Sequence, residues 1–182
     1  MRRKCLFLLP VFCLLLSACG TSAAEARYRA FSDALTRRDT LHFTARLRAE
    51  YPDRSARFTL QYAMEDGEQT VTVTEPEIIA GIRARLLPGE TKLEYENLIL
   101  DTGSLNQNGL TPMSTLPVLV EAMRSGHLDS HWQEGGELAV QLILTDDTSA
   151  VVRFREEDMT PTAAELLCDG TVAVFCEISD WR

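Results

Sequence analysis

The stretch Leu41-His42-Phe43-Thr44-Ala45-Arg46-Leu47-Arg48-Ala49 alternates apolar and polar side chains, with an apolar residue at every odd position. Successive side chains of a strand point to opposite faces, so this pattern predicts a strand with one buried face. Beyond the turn-prone residues 52–55, the even positions of residues 56–64 are apolar, and residues 69–74 alternate threonine with valine. The sequence therefore predicts a three-stranded antiparallel meander with one apolar and one polar face.

Two segments with helical periodicity flank or interrupt the strands. The first, residues 24–38, places four apolar residues on one stripe: Ala24, Tyr28, Phe31 and Leu35. The second runs from about Thr115 to Ser125, with Pro117 in its first turn and Gly126 as its stop. Both segments are amphipathic, so we expect each helix to pack one face against the sheet.

The remaining chain predicts further short strands. Residues 78–87 fit either a short helix or a strand, and the following Pro88-Gly89 favours a hairpin with residues 92–100. Strands resume at 137–144 and 150–155 and in a closing hairpin that ends at Ile178. The predicted fold is α+β in one domain, residues 24–182: a curved antiparallel sheet, or open half-barrel, of about eight strands with two helices against its concave face.

The apolar face of the predicted sheet is the candidate binding surface. If the strands pair as predicted, seven large side chains of the sheet point to the same side: Phe43, Leu47, Phe58, Leu60, Tyr62, Val71 and Val73. Leu119 and Met123 of the second helix complete the candidate surface. The helices offer few large residues to cover this face. One hypothesis is an apolar cleft that holds an acyl chain or another apolar ligand. The other is a filled core, closed by the later strands.

Cys168 and Cys176 are the two cysteines outside the N-terminal 19 residues. Asp169-Gly170 predicts a tight hairpin turn with Cys168 opposite Thr171. In that register Cys168 and Cys176 lie on opposite faces, so we expect no disulfide between them. A β-bulge in the hairpin would change this register.

The N-terminus has the organisation of a secretory signal. Arg2, Arg3 and Lys4 precede an apolar run from Cys5 to Leu16, which is too short for the roughly 20 residues of a membrane span. Leu16-Ser17-Ala18-Cys19 resembles the bacterial lipoprotein signal box. The resemblance implies that residues 1–18 are removed and that Cys19 carries diacylglycerol. Residues 19–23 would then be the lipidated cysteine and a short tether, and the protein would be extracytoplasmic and lipid-anchored to the cell membrane. The alternative is an ordinary cleavable signal.

The charge balance argues against nucleic-acid binding. Removing the three positive charges of the signal takes the formal net charge from −9 to −12, and an acidic surface repels phosphate backbones. Apart from Lys92, the basic residues outside the signal are arginines. We interpret this as compositional bias rather than as a phosphate-binding patch.

The motifs that could carry catalysis or bind metal are incomplete. Leu98-Ile99-Leu100-Asp101-Thr102-Gly103-Ser104 resembles the active-site loop of aspartic proteases, a chemistry that needs two carboxylates sharing a proton. The chain has no second Asp-Thr-Gly or Asp-Ser-Gly. An aspartic peptidase using Asp101 is therefore the less favoured alternative, and a structural turn is the simpler interpretation.

Histidines supply the other candidate site. His127, His131 and Glu134 lie close in sequence, but Gly126 ends the helix that would hold two imidazoles on one face. We predict a solvated loop beside Trp132. His42 lies on the polar face of its strand with no partner evident in the sequence. We expect no metal site, no cofactor and no catalytic residue.

The anchor, short tether, first helix, strand meander and inserted helix together resemble LolA/LolB and the mycobacterial LppX/LprG lipoproteins. The resemblance covers most of residues 24–178 and implies a half-barrel that cups lipid. Residues 76–117 also resemble lipoproteins of anaerobic Gram-positive bacteria that have no assigned activity. We therefore expect a non-enzymatic, membrane-anchored lipoprotein that binds an apolar ligand, or an envelope adaptor that binds another envelope protein.

Overall fold

The computed structural model describes residues 22–51, 53–87, 90–95, 98–101 and 111–182. Within these residues there are two α-helices and one short 3₁₀ helix: α1 (Ala23–Thr36), α2 (Pro112–Ser125) and the 3₁₀ helix Glu77–Ile79. Six strands precede α2: β1 (Thr40–Glu50), β2 (Ser55–Glu65), β3 (Glu68–Glu75), β4 (Arg83–Leu87), β5 (Glu90–Tyr95) and β6 (Leu98–Asp101). Five follow it: β7 (His127–Glu134), β8 (Glu137–Ile143), β9 (Thr148–Arg155), β10 (Pro161–Cys168) and β11 (Thr171–Ser179).

The described strands form a single antiparallel sheet in the order β6-β5-β4-β3-β2-β1-β11-β10-β9-β8-β7. Two meanders, β1–β6 and β7–β11, are joined where the first strand pairs with the last. The α+β class with two helices on a large open antiparallel sheet is thus confirmed. The expected count of about eight strands is wrong, because there are eleven in the described part of the chain.

The three-stranded meander pairs as its alternation predicts. In β1 the odd positions Leu41 to Ala49 are buried, and Phe43 pairs with Tyr62 while Ala45 pairs with Leu60. Tyr62 in turn pairs with Val71 of β3. Paired residues share a face, so the apolar residues of all three strands point to the same side.

Both helices lie on this apolar side. Tyr28 of α1 and Leu119 of α2 belong to one hydrophobic core with the buried residues of the strands. The helices also contact each other, since the Tyr28 hydroxyl donates to the carbonyl of Met123 at 3.3 Å. Trp181 extends the core beyond β11, with its ring 5.0 Å from that of Phe43.

Helix α2 begins three residues before its predicted start. Thr111 is the N-cap, its side chain accepting from the backbone N–H of Ser114, and Pro112 follows in the first turn. Pro117 consequently lies inside the helix rather than in its first turn. Gly126 ends the helix as predicted, with its N–H donating to the carbonyl of Ala122.

The closing hairpin contains a bulge. Cys168 pairs with Thr171 as predicted, but the register shifts so that Leu166 pairs with Val174 and leaves Ala173 as the extra residue. The bulge places Cys168 on the same face as Val174 and Cys176, so the predicted opposite faces are wrong. Both thiols are free. Cys176 pairs with Ala164, roughly 13 Å along β10 from Cys168, which is too far for a disulfide.

Candidate functional site

The predicted apolar surface lies in the hydrophobic core. One of its nine residues, Phe58, is partly buried against the others. The other eight are buried, with relative exposures of 0–3%: Phe43, Leu47, Leu60, Tyr62, Val71, Val73, Leu119 and Met123. Helix α2 contributes the last two and packs against β3, β8, β9 and β10. The helix thus spans both meanders and covers the face on which a ligand was expected.

The polar atoms of this core are paired. The Tyr62 hydroxyl donates to Oε1 of Gln69 at 3.1 Å, and the Tyr28 hydroxyl donates to the backbone at Met123. Burial raises the pKa of both phenols above their ordinary range, so both stay neutral near pH 7. Within the described residues every buried side-chain nitrogen or oxygen has a hydrogen-bond partner. The described core therefore presents no orphaned polar group that a ligand would satisfy.

The aspartic-protease motif is only partly described. Asp101 ends the short strand β6, opposite Lys92 of β5, and Thr102 to Ser104 lie outside the described residues. The prediction that this motif forms a turn remains a prediction.

The three histidines lie on strands and make separate contacts. His127 and His131 lie on β7, so the predicted loop beside Trp132 is wrong. His131 Nε2 lies 2.8 Å from Ser22 Oγ, and His42 Nε2 lies 3.4 Å from a carboxylate oxygen of Glu65. Among the described residues no three histidine, cysteine or acidic side chains are grouped as metal ligands.

Two grooves open on the polar side of the sheet instead. One, of about 870 Å³, is lined by residues of β1 to β4 that include His42, Gln61 and Arg83. The other, of about 840 Å³, lies over β1, β2, β11 and the end of β3, and both arginines and glutamates line it: Arg46, Arg48, Arg57, Glu75, Glu77 and Glu177.

Two arginines of the second groove lie on adjacent strands. Arg48 and Arg57 are directly opposed in the β1–β2 register, an arrangement that places like charges side by side. Arg48 is held by Glu50 at 2.7 Å and stacks over the ring of Phe175. The interpretation of the arginines as compositional bias does not predict this pairing. The sequence does imply it, because Arg48 is at an even position of β1 and a hairpin turn at residues 52–55 places Arg57 opposite it.

Exposed apolar side chains mark the two edges of the sheet. Leu98 and Ile99 on the edge strand β6 are 67% and 66% exposed, and Trp132 on the opposite edge strand β7 is 37% exposed.

No helix in the described residues has the length and hydropathy of a membrane span.

No protein-family model and no curated protein matches the chain. Solved structures do match it over most of its length. An outer-membrane lipoprotein-sorting domain from Vibrio parahaemolyticus gives a TM-score of 0.52 at 14% identity, covering 87% of this chain and 92% of that one. An uncharacterised conserved protein from Thermus thermophilus gives 0.51 at 9% identity, covering 86% of each.

A LolA-superfamily protein from Nitrosomonas europaea is more distantly similar, with a TM-score of 0.46 at 10% identity, covering 85% of this chain and 92% of that one. At these identities the likeness shows the fold alone, two helices on a large open antiparallel sheet.

Proposed function

We propose that this chain is a non-enzymatic, membrane-anchored extracytoplasmic lipoprotein that acts as an adaptor for another envelope protein. The observation that carries the proposal is the closed apolar face. Leu119 and Met123 of α2 are fully buried in one core with Leu60 and Val71 of the sheet. A filled core makes the domain a rigid scaffold, which leaves recognition to its outer surfaces.

The outer surfaces offer two kinds of contact to a protein partner. The groove over β1, β2 and β11 combines the guanidinium groups of Arg48 and Arg57 with the carboxylate of Glu177 and the ring of Phe175. Among the described strands β6 is the last of the sheet and exposes Leu98 and Ile99, a position at which a partner would add a further strand. Mixed charged and apolar contacts of this kind are typical of protein interfaces.

The anchor rests on the signal sequence, whose residues lie outside the described part of the chain. Diacylglycerol on Cys19 supplies two acyl chains, enough for stable attachment to a bilayer. The non-enzymatic assignment rests on Asp101, which has no partner carboxylate in a second motif, and on the paired state of the described buried polar groups.

Binding of an acyl chain is the second candidate function, favoured by the likeness to a lipoprotein-sorting domain. The ligand would occupy the space between the sheet and α2, so α2 would have to move away from residues such as Leu60 and Tyr62. Micromolar binding of a fluorescent fatty acid, abolished by Leu60→Glu in a folded protein, would favour this function over the adaptor.

The anchor is tested by detergent phase partitioning of the full chain expressed in a bacterial host. We expect the wild type in the detergent phase and the cleaved Cys19→Ser protein in the aqueous phase. Cys13→Ser is the matched control, because that cysteine leaves with the signal and should change nothing. A cleaved Cys19→Ser protein that stays in the detergent phase would show that the anchor lies elsewhere.

A further inference from the structure

The start of α1 is fixed to one edge of the sheet. Ser22, the N-cap of α1, accepts a hydrogen bond from the backbone N–H of Glu25 at 3.0 Å and lies 2.8 Å from His131 of β7. Glu156 adds a second link, since its Oε1 accepts from Arg27 of α1 at 3.4 Å and from Gln133 of β7 at 3.0 Å. The chain therefore enters the domain at a defined place beside β7.

The length of chain before this point limits where the bilayer can lie. Three residue steps separate Cys19 from Ser22, so the lipidated residue stays within roughly 11 Å of Ser22. Strand β1 is five strands from β7 in the sheet order, roughly 24 Å along the sheet. The tether thus reaches the β7 edge of the sheet and does not reach its centre.

An exposed tryptophan lies at this same edge. Trp132 follows His131 on β7, and successive side chains of a strand point to opposite faces. Ser22 contacts His131, so the Trp132 side chain lies on the other face of the strand. Its indole is 37% exposed, and its Nε1–H donates to Glu134 at 3.4 Å. Tryptophan has an apolar body and one polar N–H, the combination that is enriched at membrane interfaces.

The charges at this edge indicate the kind of lipid surface that fits. Glu134, on the Trp132 face, is 61% exposed and lies 3.6 Å from Arg153, and Glu156, on the α1 face, is 43% exposed and lies 3.4 Å from Arg27. Because each carboxylate has an arginine partner, these pairs carry no excess positive charge that would attract anionic headgroups. A zwitterionic surface is therefore the better match for this edge.

From these observations we infer that the β7 edge of the sheet faces the bilayer, with Trp132 at the lipid interface. This inference rests on the proposed lipidation of Cys19. It adds an orientation and a contact residue that the anchor alone does not define.

The test uses tryptophan quenching in the full lipidated protein, because the chain has only two tryptophans, Trp132 and Trp181. The protein is placed in vesicles of phosphatidylcholine brominated near the top of the acyl chain. We expect the Trp181→Phe protein, which keeps Trp132, to lose at least about twice as much fluorescence as the Trp132→Phe protein, since only an interfacial indole meets the bromines. Trp181 packs against the core, so Trp181→Phe alters it. The difference in quenching between wild type and Trp132→Phe gives the contribution of Trp132 with Trp181 in place.

Tyr51 supplies the matched control, because it is 39% exposed on the β1–β2 turn. A single tryptophan introduced there by Tyr51→Trp, with Trp132→Phe and Trp181→Phe, should be unquenched. Equal quenching at both positions, or none at Trp132 in protein that floats with the vesicles, would overturn the orientation alone. Wild-type protein that does not float would overturn the lipid anchor and the orientation together.

Discussion

Cys176 is the most deeply buried ionisable group of the closing hairpin. Burial raises the pKa of its thiol to about 12, so the thiol stays protonated and unreactive at pH 8. Cys168 is only partly buried. We expect an aromatic disulfide reagent to modify Cys168 first in the native protein, and Cys176 only after unfolding.

The matched variants for that experiment are Cys168→Ser and Cys176→Ser, each leaving one thiol. Rapid native labelling of Cys168→Ser protein would contradict the burial of Cys176. The absence of any free thiol after unfolding without reductant would contradict the register of the hairpin.

Single residues show where sequence reasoning succeeds and where it stops. Alternation identifies Phe43, Leu60 and Tyr62 as neighbours on one face, because burial on one side of a strand imposes a period of two. The same rule fails beyond Leu166, where Ala173 bulges from the ladder. An alanine in a strand carries no local signal for a bulge, so the face of Cys168 could not be derived from the pattern.

The N-terminus of α2 depends on one hydrogen-bonded cap. Thr111 and Ser114 bond reciprocally, with the Thr111 N–H donating to Ser114 Oγ at 2.9 Å. We expect Thr111→Ala to lower the free energy of unfolding by about 1 kcal/mol, measured by urea denaturation. Thr111→Ser keeps the hydroxyl and should cost little, so equal losses in the two variants would contradict the capping role.

A charge network connects three strands of the first meander. Arg85 of β4 donates to Glu68 of β3 at 2.7 Å and to Glu94 of β5 at 3.2 Å. The hydrogen bond from Arg85 lowers the pKa of Glu68 below its ordinary value. The ionised Glu68 therefore stabilises the fold above its unfolded pKa of about 4.3, and this contribution disappears as pH falls through the lowered pKa of the folded state.

This network gives a pH-dependent prediction. Glu68→Gln should reduce the urea midpoint slightly near neutral pH, and the difference from wild type should vanish in acid and shrink in high salt. In an Arg85→Gln background the same substitution should have no pH-dependent effect. A difference that grows on acidification would contradict the assigned ion pair.

The elements that the sequence predicted least well are those formed by pairing. Residues 127–134 contain two histidines and an aspartate, with little strand propensity, yet they form β7 because β8 offers a complete partner from Glu137 to Ile143. Helix α2, in contrast, carries its own signals, since Thr111-Pro112 marks the start and Gly126 the stop. Its early start was missed because the pattern of apolar residues begins later than the cap.

At the scale of the molecule, the joining of β1 to β11 determines the architecture. This pairing unites the first and last strands and makes one sheet of the two meanders, which α2 then covers from β3 to β10. Local patterns predicted the three-stranded meander β1–β3 and its apolar face. How completely the helix covers that face depends on contacts between distant parts of the chain, which no local pattern encodes.

Native mass spectrometry of residues 20–182, purified without detergent, shows whether the apolar face is closed. With Leu60, Tyr62 and Met123 buried in the core, we expect the mass of the chain alone, before and after incubation with fatty acid. A lipid retained at one molecule per chain, and lost in a folded Leu60→Glu variant, would contradict it.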